Sequence, residues 1–244
     1  LHSFPTRRSS DLDFRMNNIK VIAFDADDTL WVNEPNFREA EKRFCELLKD
    51  YLPEDSVSPE LFKIEMANLT MYGYGVKGFM LSMIETIIRL TGGKGSLGLV
   101  EEVIKMGKEL LAKPVEVLDG VRDVLTRLNG RYILVLATKG DLLDQERKLS
   151  LSGLEEHFHY IEIMSDKSTD AYKKLLKHLD CEPDNFLMIG NSMRSDVIPV
   201  LETGGYAVHV PFHTSWIHEM VDREIDHPRF IKAENITEVL KIIP

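Results

Sequence analysis

The chain has 244 residues, of which 43% are hydrophobic and 29% are charged, and its formal net charge is -10. This balance predicts a globular protein with a sizeable core. The negative charge argues against binding to nucleic acid or to an anionic membrane surface, because both need a basic patch. Two cysteines, Cys45 and Cys181, lie in apolar helical patterns. They indicate free thiols in a reducing cytosol, so we expect a cytoplasmic protein.

The first residues differ from the rest of the chain. Residues 1–12 read LHSFPTRRSSDL, a basic and serine-rich stretch with no apolar run. Such a stretch is not a secretory signal, although a transit peptide is an alternative. We interpret residues 1–15 as a non-native or disordered extension, with Met16 as the natural start.

The stretch Val21–Leu30 (VIAFDADDTL) is an apolar run that ends in three carboxylates and a hydroxyl. Four apolar residues in a row predict a strand that is covered on both faces inside a parallel sheet. Ligands bind at the carboxyl edge of such sheets. The strand period places Asp25 and Asp27 on one side and Asp28 on the other, and neighbouring carboxylates share a proton or a cation. The alternative is an acidic surface turn.

A long helical stretch follows this strand. Helical patterns cover residues 36–52, 58–71, 79–90 and 97–111. Pro53 is predicted to end the first helix, and Ser58 with Pro59 to begin the second. The stretch contains no convincing strand and is too long for an ordinary connection. We therefore predict an all-helical domain over 33–112 and an α/β core domain over 16–32 and 113–244.

Short strands and helices alternate in the second half of the chain. Asp119 and Gly120 are predicted to cap a helix that runs to Leu128. Further strands are expected over 132–137, 160–164, 186–189 and 206–210, and helices over 142–151, 169–179, 197–201 and 235–242. The last helix begins with Asn235 and Glu238 in a pattern typical of a capping box. The alternation predicts an α/β fold with a doubly wound parallel sheet.

Polar residues follow several of these strands, and the ends of parallel strands meet at one edge. Thr138 comes directly after one strand, where its hydroxyl could bind a phosphoryl oxygen or simply cap the next helix. Lys167 follows another strand and could neutralise developing negative charge. Asn191 and Asp196 follow a third, and their oxygens suit a hard cation.

In this order the segments resemble the four motifs of the haloacid dehalogenase-like (HAD) hydrolases. The sequence Asp-Ala-Asp-Asp-Thr resembles the first motif, Asp-x-Asp-x-Thr, and this implies that Asp25 is the nucleophile and Asp27 the general acid/base. Thr138 and Lys167 occupy the positions of the second and third motifs. The helical insert resembles the cap of the same family, and the fold implied is a Rossmann-like core.

The resemblance also implies a Mg²⁺ cofactor held by Asp25, Asp27, Asn191 and Asp196, with Asp27 acting through its main-chain carbonyl. Asn191 stands where the fourth motif usually has an acid. Its amide oxygen can bind a hard cation but brings no charge, so we expect weaker metal binding than with Asp at this position. Asp28 stands where the phosphatase form usually has glycine.

Together these residues predict a Mg²⁺-dependent phosphomonoester hydrolase that acts on small phosphorylated metabolites through an aspartyl-phosphate. Thr29, Tyr74 and Lys77 are candidate substrate-binding residues. One alternative is a 2-haloacid dehalogenase-type hydrolase, which needs neither a metal nor a proton for its leaving group. Another is a catalytically weak, phosphate-binding regulatory protein. Neither the substrate nor the oligomeric state can be predicted.

Two further patterns are assigned structural roles. Gly93, Gly95 and Gly98 match a dinucleotide-binding fingerprint, but they follow a helix rather than the strand that such a site needs. His209 and the histidines that follow it, near Glu219, fit no standard zinc spacing. We therefore expect a helix–helix loop and structural histidines.

Overall fold

The computed structural model describes residues 16, 18–214, 216–219, 221 and 224–243. The prediction for residues 1–15 lies outside this part of the chain. No helix within the described residues is long and apolar enough to cross a membrane.

A six-stranded parallel sheet forms the centre of the described chain. Its strands are β1 (Val21–Phe24), β2 (Ile133–Lys139), β3 (Tyr160–Met164), β4 (Phe186–Gly190), β5 (Tyr206–His209) and β6 (Phe230–Lys232). Their spatial order is β3-β2-β1-β4-β5-β6, and each neighbouring pair is parallel. The chain therefore builds outward on one side of β1 and then crosses to the other side. The carboxyl end of β1 lies at this reversal, where open α/β sheets bind their ligands.

Strand β1 is buried on both faces, as its apolar run predicts. Ile22 and Phe24 belong to one hydrophobic cluster, whereas Val21 and Ala23 belong to a second cluster on the opposite face. Side chains alternate between faces along a strand, so both faces need apolar residues when helices cover both. The predicted doubly wound α/β fold is confirmed.

Helices cover the sheet and form a separate layer. The first four are α1 (Glu34–Leu47), α2 (Glu54–Tyr72), α3 (Val76–Leu90) and α4 (Leu97–Ala112). The others are α5 (Val121–Leu128), α6 (Leu142–Ser152), α7 (Thr169–His178), α8 (Ile198–Thr203) and α9 (Val239–Ile242).

Helices α1 to α4 share a hydrophobic cluster of their own. Phe44, Leu61, Met83 and Val103 contribute to it from the four helices, and it is distinct from the clusters on the sheet. An independent core is what a separate helical domain requires. The division into domains at residues 33–112 itself stays a prediction.

The predicted start of α2 at Ser58 is wrong. The helix begins at Glu54 after Pro53, whose carbonyl oxygen accepts a hydrogen bond from Ser56 N at 3.0 Å. Val57 is fully buried in the hydrophobic cluster of the helices. Its burial stabilises an additional helical turn before Ser58 and Pro59. Pro59 lies inside the helix and forfeits one amide hydrogen bond.

The structure extends one predicted strand and adds another that was not predicted. Strand β2 extends through Thr138 to Lys139, because both residues continue the pairing with β3. Thr138 therefore lies within the last part of the strand rather than after it. Strand β6 was not predicted, since it has only three residues and pairs with β5 alone.

The predicted helix over 235–242 is a short 3-10 turn, Ile236–Glu238, followed by α9. Asn235 Oδ1 accepts a hydrogen bond from Thr237 N at 3.1 Å, as a capping residue does. The carboxylate of Glu238 accepts from Glu234 N at 2.8 Å instead of from the amide of Asn235. The second bond of the capping box is therefore displaced by one residue.

Candidate active site

Asp25 lies directly beyond β1 and is almost fully buried. Its amide still donates to Ile189 O at 2.9 Å, so the backbone of β1 stays in register with β4 up to this residue. Lys167 Nζ pairs with Asp25 Oδ1, and Thr29 Oγ1 donates to Asp25 Oδ2 at 3.2 Å. The structure thus brings together three residues that the sequence singled out.

Asp196 holds Lys167 from the other side. Its Oδ1 lies 2.7 Å from Lys167 Nζ, and its Oδ2 accepts from Ser192 N at 2.9 Å. Both oxygens are therefore engaged by groups of the protein. A Cβ at Gly190 would lie only 2.2 Å from Asp196 Oδ2, so the end of β4 must be glycine for this carboxylate to fit.

The buried charges shift one another's pKa. Burial raises the pKa of Asp25 to about 7, against the opposing attraction of Lys167. Burial also disfavours the charged form of Lys167, but Asp196 and Asp25 outweigh it and hold the lysine pKa above its usual value. The lysine therefore stays charged at neutral pH and supports the ionised form of Asp25.

Asp27 is held by three donors. Trp31 Nε1 and Lys148 Nζ bind its Oδ1 at 2.7 and 2.6 Å, and Gln145 Nε2 binds its Oδ2 at 3.0 Å. Gln145 and Lys148 lie three residues apart on α6, hence on one face of that helix. Neither residue was predicted from the sequence. Polar residues three apart are common on solvated helix faces, so their spacing alone does not mark them as part of a site.

The strand period does not extend to Asp28, because β1 ends at Phe24 and Asp28 lies in the turn that follows. Asp28 also lines the cavity. Its carboxylate accepts hydrogen bonds from the amides of Asn33 at 2.8 Å and Glu34 at 3.0 Å, at the beginning of α1. Its φ of 62° lies in the left-handed region, which Gly adopts freely and Asp tolerates. Burial raises the pKa of Asp28 to about 8, in spite of these hydrogen bonds. The residue shapes the backbone here rather than adding a free charge to the site.

The predicted site residues line a cavity of about 370 Å³ between the sheet edge and the helical layer. Those that line it are Asp25, Asp27, Tyr74, Thr138, Lys167, Asn191 and Asp196. The helical layer contributes Phe37, Phe62 and Phe79 together with Glu34, Glu41 and Glu65. The cavity can thus hold a small polar molecule against Asp25.

All three candidate substrate-binding residues have partners within the protein, and that of Thr29 is Asp25. The ring of Tyr74 lies 4.1 Å from Lys139 Nζ and packs against Trp216, and burial with nearby Asp166 raises its pKa to about 12. Lys77 Nζ binds both carboxylate oxygens of Asp141 at 2.9 Å. Lys77 lies outside the cavity lining, as does Thr29.

The atoms around Asn191 test whether this site could hold a metal ion. One polar atom of its amide lies 3.2 Å from Asp25 Oδ2 and 3.3 Å from the main-chain oxygen of Asp27. With nitrogen at this position the amide donates to both oxygens. With oxygen there, three oxygens converge, which is the arrangement that a hard cation needs. The donor set fits Mg²⁺, with Asp25 as its charged member.

The histidines have structural partners. His209 Nε2 lies 2.8 Å from Asn191 O, and His213 Nδ1 lies 2.7 Å from Thr214 Oγ1. Within the described residues, no three or more His, Cys, Asp or Glu side chains form a group that could hold a metal. Gly93 and Gly95 lie in the turn between α3 and α4, as expected, whereas Gly98 lies in the first turn of α4.

A buried aspartate, a paired lysine and a second aspartate meet at the switch point of the parallel sheet, in the arrangement that the resemblance to the HAD motifs implies. Residues 19–199 match the sequence model of the haloacid dehalogenase-like hydrolase family. The chain belongs to this family and is therefore an enzyme of the HAD-like hydrolase class. Comparison with curated protein sequences gave no match.

Solved structures agree with this assignment. A haloacid dehalogenase-like family hydrolase from Xanthomonas campestris is 37% identical, covers 93% of this chain and 92% of its own, and has a TM-score of 0.83. A protein described as a predicted phosphoglycolate phosphatase from Haemophilus somnus is 18% identical, with a TM-score of 0.62 and coverage of 93% and 99%. A 2-haloacid dehalogenase from Pseudomonas syringae is 16% identical, with a TM-score of 0.59 and coverage of 92% and 97%. The last two likenesses show the fold alone.

Proposed function

We propose that this hydrolase is a Mg²⁺-dependent phosphomonoesterase that acts on small phosphorylated metabolites. The observation that carries the proposal is the pair of carboxylates at one end of the cavity. Asp25 is held by Lys167, and Asp27 is held separately by donors from Trp31, Gln145 and Lys148. An alkoxide leaving group needs a proton whereas a halide does not, so a second positioned carboxylate favours phosphate esters over haloacids.

In the first step, a carboxylate oxygen of Asp25 attacks phosphorus. The bond from phosphorus to the ester oxygen breaks, and Asp27 gives its proton to that oxygen. Lys167 and Thr138 line the same cavity as Asp25 and would stabilise the charge that the phosphoryl oxygens gain, as a cation and a hydroxyl donor do. The product of this step is an aspartyl-phosphate on Asp25.

In the second step, Asp27 is a carboxylate and takes a proton from water. The water oxygen attacks phosphorus, the bond to Asp25 breaks, and inorganic phosphate leaves. The protonated Asp27 and the ionised Asp25 are then ready for another cycle. The predicted cap, residues 33–112, would exclude bulk water and select the leaving group.

Asp25, the main-chain oxygen of Asp27 and Asn191 are the groups that would hold Mg²⁺. When bound, the ion supplies positive charge next to the phosphoryl oxygens. Asp196 pairs with Lys167 through one oxygen and accepts from Ser192 N with the other, and each oxygen keeps a further lone pair, so Asp196 stays a candidate ligand as well. Asn191→Asp is expected to lower the Mg²⁺ concentration needed for half-maximal activity, because it adds a charged ligand.

A direct assay tests the proposal. The protein is incubated with p-nitrophenyl phosphate and with a panel of phosphorylated metabolites, with Mg²⁺ and with a chelator, and released phosphate is measured. We expect release only with Mg²⁺. Halide release from 2-haloacids in the presence of chelator would instead support the dehalogenase alternative. Tight phosphate binding without turnover would support the regulatory alternative.

A further inference from the structure

Gln145 lies at the centre of a buried hydrogen-bond network beside the two predicted catalytic groups. Its side chain is only 2% exposed. Its Nε2 lies 3.0 Å from Asp27 Oδ2, 2.9 Å from Thr138 Oγ1 and 2.8 Å from Lys139 O. Because a carboxylate and a carbonyl only accept, the amide nitrogen must face this group of oxygens. The orientation of Gln145 is thus fixed by its surroundings.

This contact determines what the hydroxyl of Thr138 can do. Gln145 Nε2 has two protons for these three oxygens and cannot accept a hydrogen bond, so the proton of the Thr138 hydroxyl remains for another acceptor. Its acceptor in the structure is Lys139 O at 3.4 Å, which is long for a hydroxyl hydrogen bond. Thr138 faces the cavity, so the proton can turn to an oxygen of a bound phosphoryl group.

Lys148 acts on the other oxygen of Asp27. Its Nζ lies 2.6 Å from Asp27 Oδ1 and 3.2 Å from Asn33 Oδ1, and its side chain is 14% exposed. With Gln145 on Oδ2, α6 holds both carboxylate oxygens of Asp27. The ring of Trp31 also donates to Oδ1. Rotation of the Asp27 carboxylate would break contacts on both sides.

The local backbone allows this approach of α6. The helix begins after Asp141, whose Oδ1 accepts from Asp144 N at 3.1 Å. Gly140 has a φ of 140°, and a Cβ at this position would lie 3.2 Å from Gln145 Nε2. A glycine here lets the loop after β2 pass close to the amide of Gln145.

We propose that Gln145 and Lys148 are a positioning pair: Gln145 keeps the Thr138 hydroxyl available as a donor to phosphate, and both hold the Asp27 carboxylate in one orientation toward the leaving group. The inference rests on the proposed phosphatase function, because it assigns these two residues to that reaction. Neither residue reacts with the substrate. Each acts through a neighbouring side chain.

Binding of orthophosphate tests the role of Gln145 without requiring turnover. Titration calorimetry of the full chain with Mg²⁺ measures the affinity of wild type, Gln145→Met and Glu146→Met. Glu146 is the exposed neighbour on α6 and provides a matched control. We expect Gln145→Met to weaken binding about tenfold, since one hydrogen bond to phosphate loses its fixed donor, whereas Glu146→Met binds as wild type. Equal affinities for all three proteins would overturn this role.

The leaving group tests the role of Lys148. We compare kcat/KM for p-nitrophenyl phosphate, whose leaving group is stable as an anion, with kcat/KM for phenyl phosphate, whose leaving group needs protonation. Misplacing the acid should reduce phenyl phosphate hydrolysis by about 100-fold and p-nitrophenyl phosphate hydrolysis much less. Lys148→Met is expected to show this difference between the two substrates. Lys148→Arg is expected to restore part of the activity on phenyl phosphate. Lys173→Met, at an exposed lysine of α7, should behave as wild type on both substrates.

The outcomes separate the inference from the proposed function. If wild type hydrolyses both esters and Lys148→Met loses the same factor on each, the role of Lys148 is structural and the inference fails. If wild type hydrolyses neither ester, the proposed function fails, while weaker orthophosphate binding by Gln145→Met alone would still support the contact to Thr138. A wild type that neither binds nor hydrolyses phosphate overturns both. Thermal unfolding of each variant verifies that it is folded.

Discussion

Glu65 shows how burial changes the chemistry of a single side chain in the helical wall of the cavity. It lies on α2, and the sequence gives it no special feature, because a glutamate on an amphipathic helix is usually solvated. In the structure, burial and then the charges of Glu41 and Glu34 raise its pKa to about 8, with Arg38 opposing them. This could not be predicted from sequence, since it depends on which helices face the cavity.

The shift at Glu65 makes stability depend on pH. A carboxyl whose pKa rises on folding, here from 4.5 to about 8, favours the folded state less as pH rises between those values. We expect Glu65→Gln to raise the melting temperature at pH 8.5 and to leave it nearly unchanged at pH 4.5. Melting curves at the two pH values measure this. Glu101→Gln, at an exposed position of α4, is the control, and an equal effect of Glu65→Gln at both pH values would contradict the account.

Among the elements, the short strands β1 and β3 were the most predictable and the helix ends the least. Strand β1 lies within the apolar run that predicted it, and β3 has the predicted bounds. A short apolar segment has few alternative structures in an α/β protein. The start of α2 depends on the burial of Val57, and no local sequence pattern indicates that this residue is buried. Gln145 and Lys148 were missed because a polar helix face usually contacts solvent, and only the position of α6 beside Asp27 gives them a function.

The beginning of α1 depends on one residue, Asp28, which both caps the helix and adopts a left-handed backbone. At pH 7 we expect Asp28→Asn to be close to wild type in stability, since Asn tolerates this backbone and keeps an acceptor for the amides of Asn33 and Glu34. Asp28→Ala should lose about 2 kcal/mol, from the cap and from backbone strain together. Chemical denaturation measures both.

Asp180 provides the matched control for the backbone contribution. It also has a positive φ, of 48°, but it is exposed. Asp180→Ala should therefore lose only the strain contribution, about 1 kcal/mol. Equal losses for Asp28→Ala and Asp180→Ala would show that the cap at α1 contributes nothing.

At the scale of the whole molecule, the cavity joins two walls of different character. The sheet edge carries the predicted catalytic residues, whereas the helical wall is apolar and acidic. Among the described residues that line the helical wall, the one cation is Arg38. Its side chain already pairs with Glu34 and Glu41 at 2.9 Å. The sequence predicted a helical insert, but it could not indicate which of its charges face the substrate.

This charge distribution predicts selectivity between leaving groups. Burial raises the pKa of Glu34 to about 7 and that of Glu65 to about 8, so both carry most of their charge only above pH 8. At that pH a leaving group with its own anion would approach Glu34, Glu41 and Glu65 without a free cation to receive it, and like charges in a cavity cost binding energy. We expect kcat/KM for 2-hydroxyethyl phosphate to exceed that for phosphoglycolate by about tenfold or more. Arg38→Met should widen the gap. A preference for phosphoglycolate would contradict this interpretation of the helical wall.

The proposed role of Asp25 as the nucleophile is the basis of every later step of the proposed reaction, and one measurement tests it most directly. Phosphate release from p-nitrophenyl phosphate is followed with Mg²⁺ for wild type and Asp25→Asn. Asp28→Asn is the control, because it also replaces a buried carboxyl group near the site with an amide. We expect Asp25→Asn to lose more than about 1,000-fold in kcat and Asp28→Asn to keep most of the activity. Retention of most phosphatase activity by folded Asp25→Asn would contradict the account.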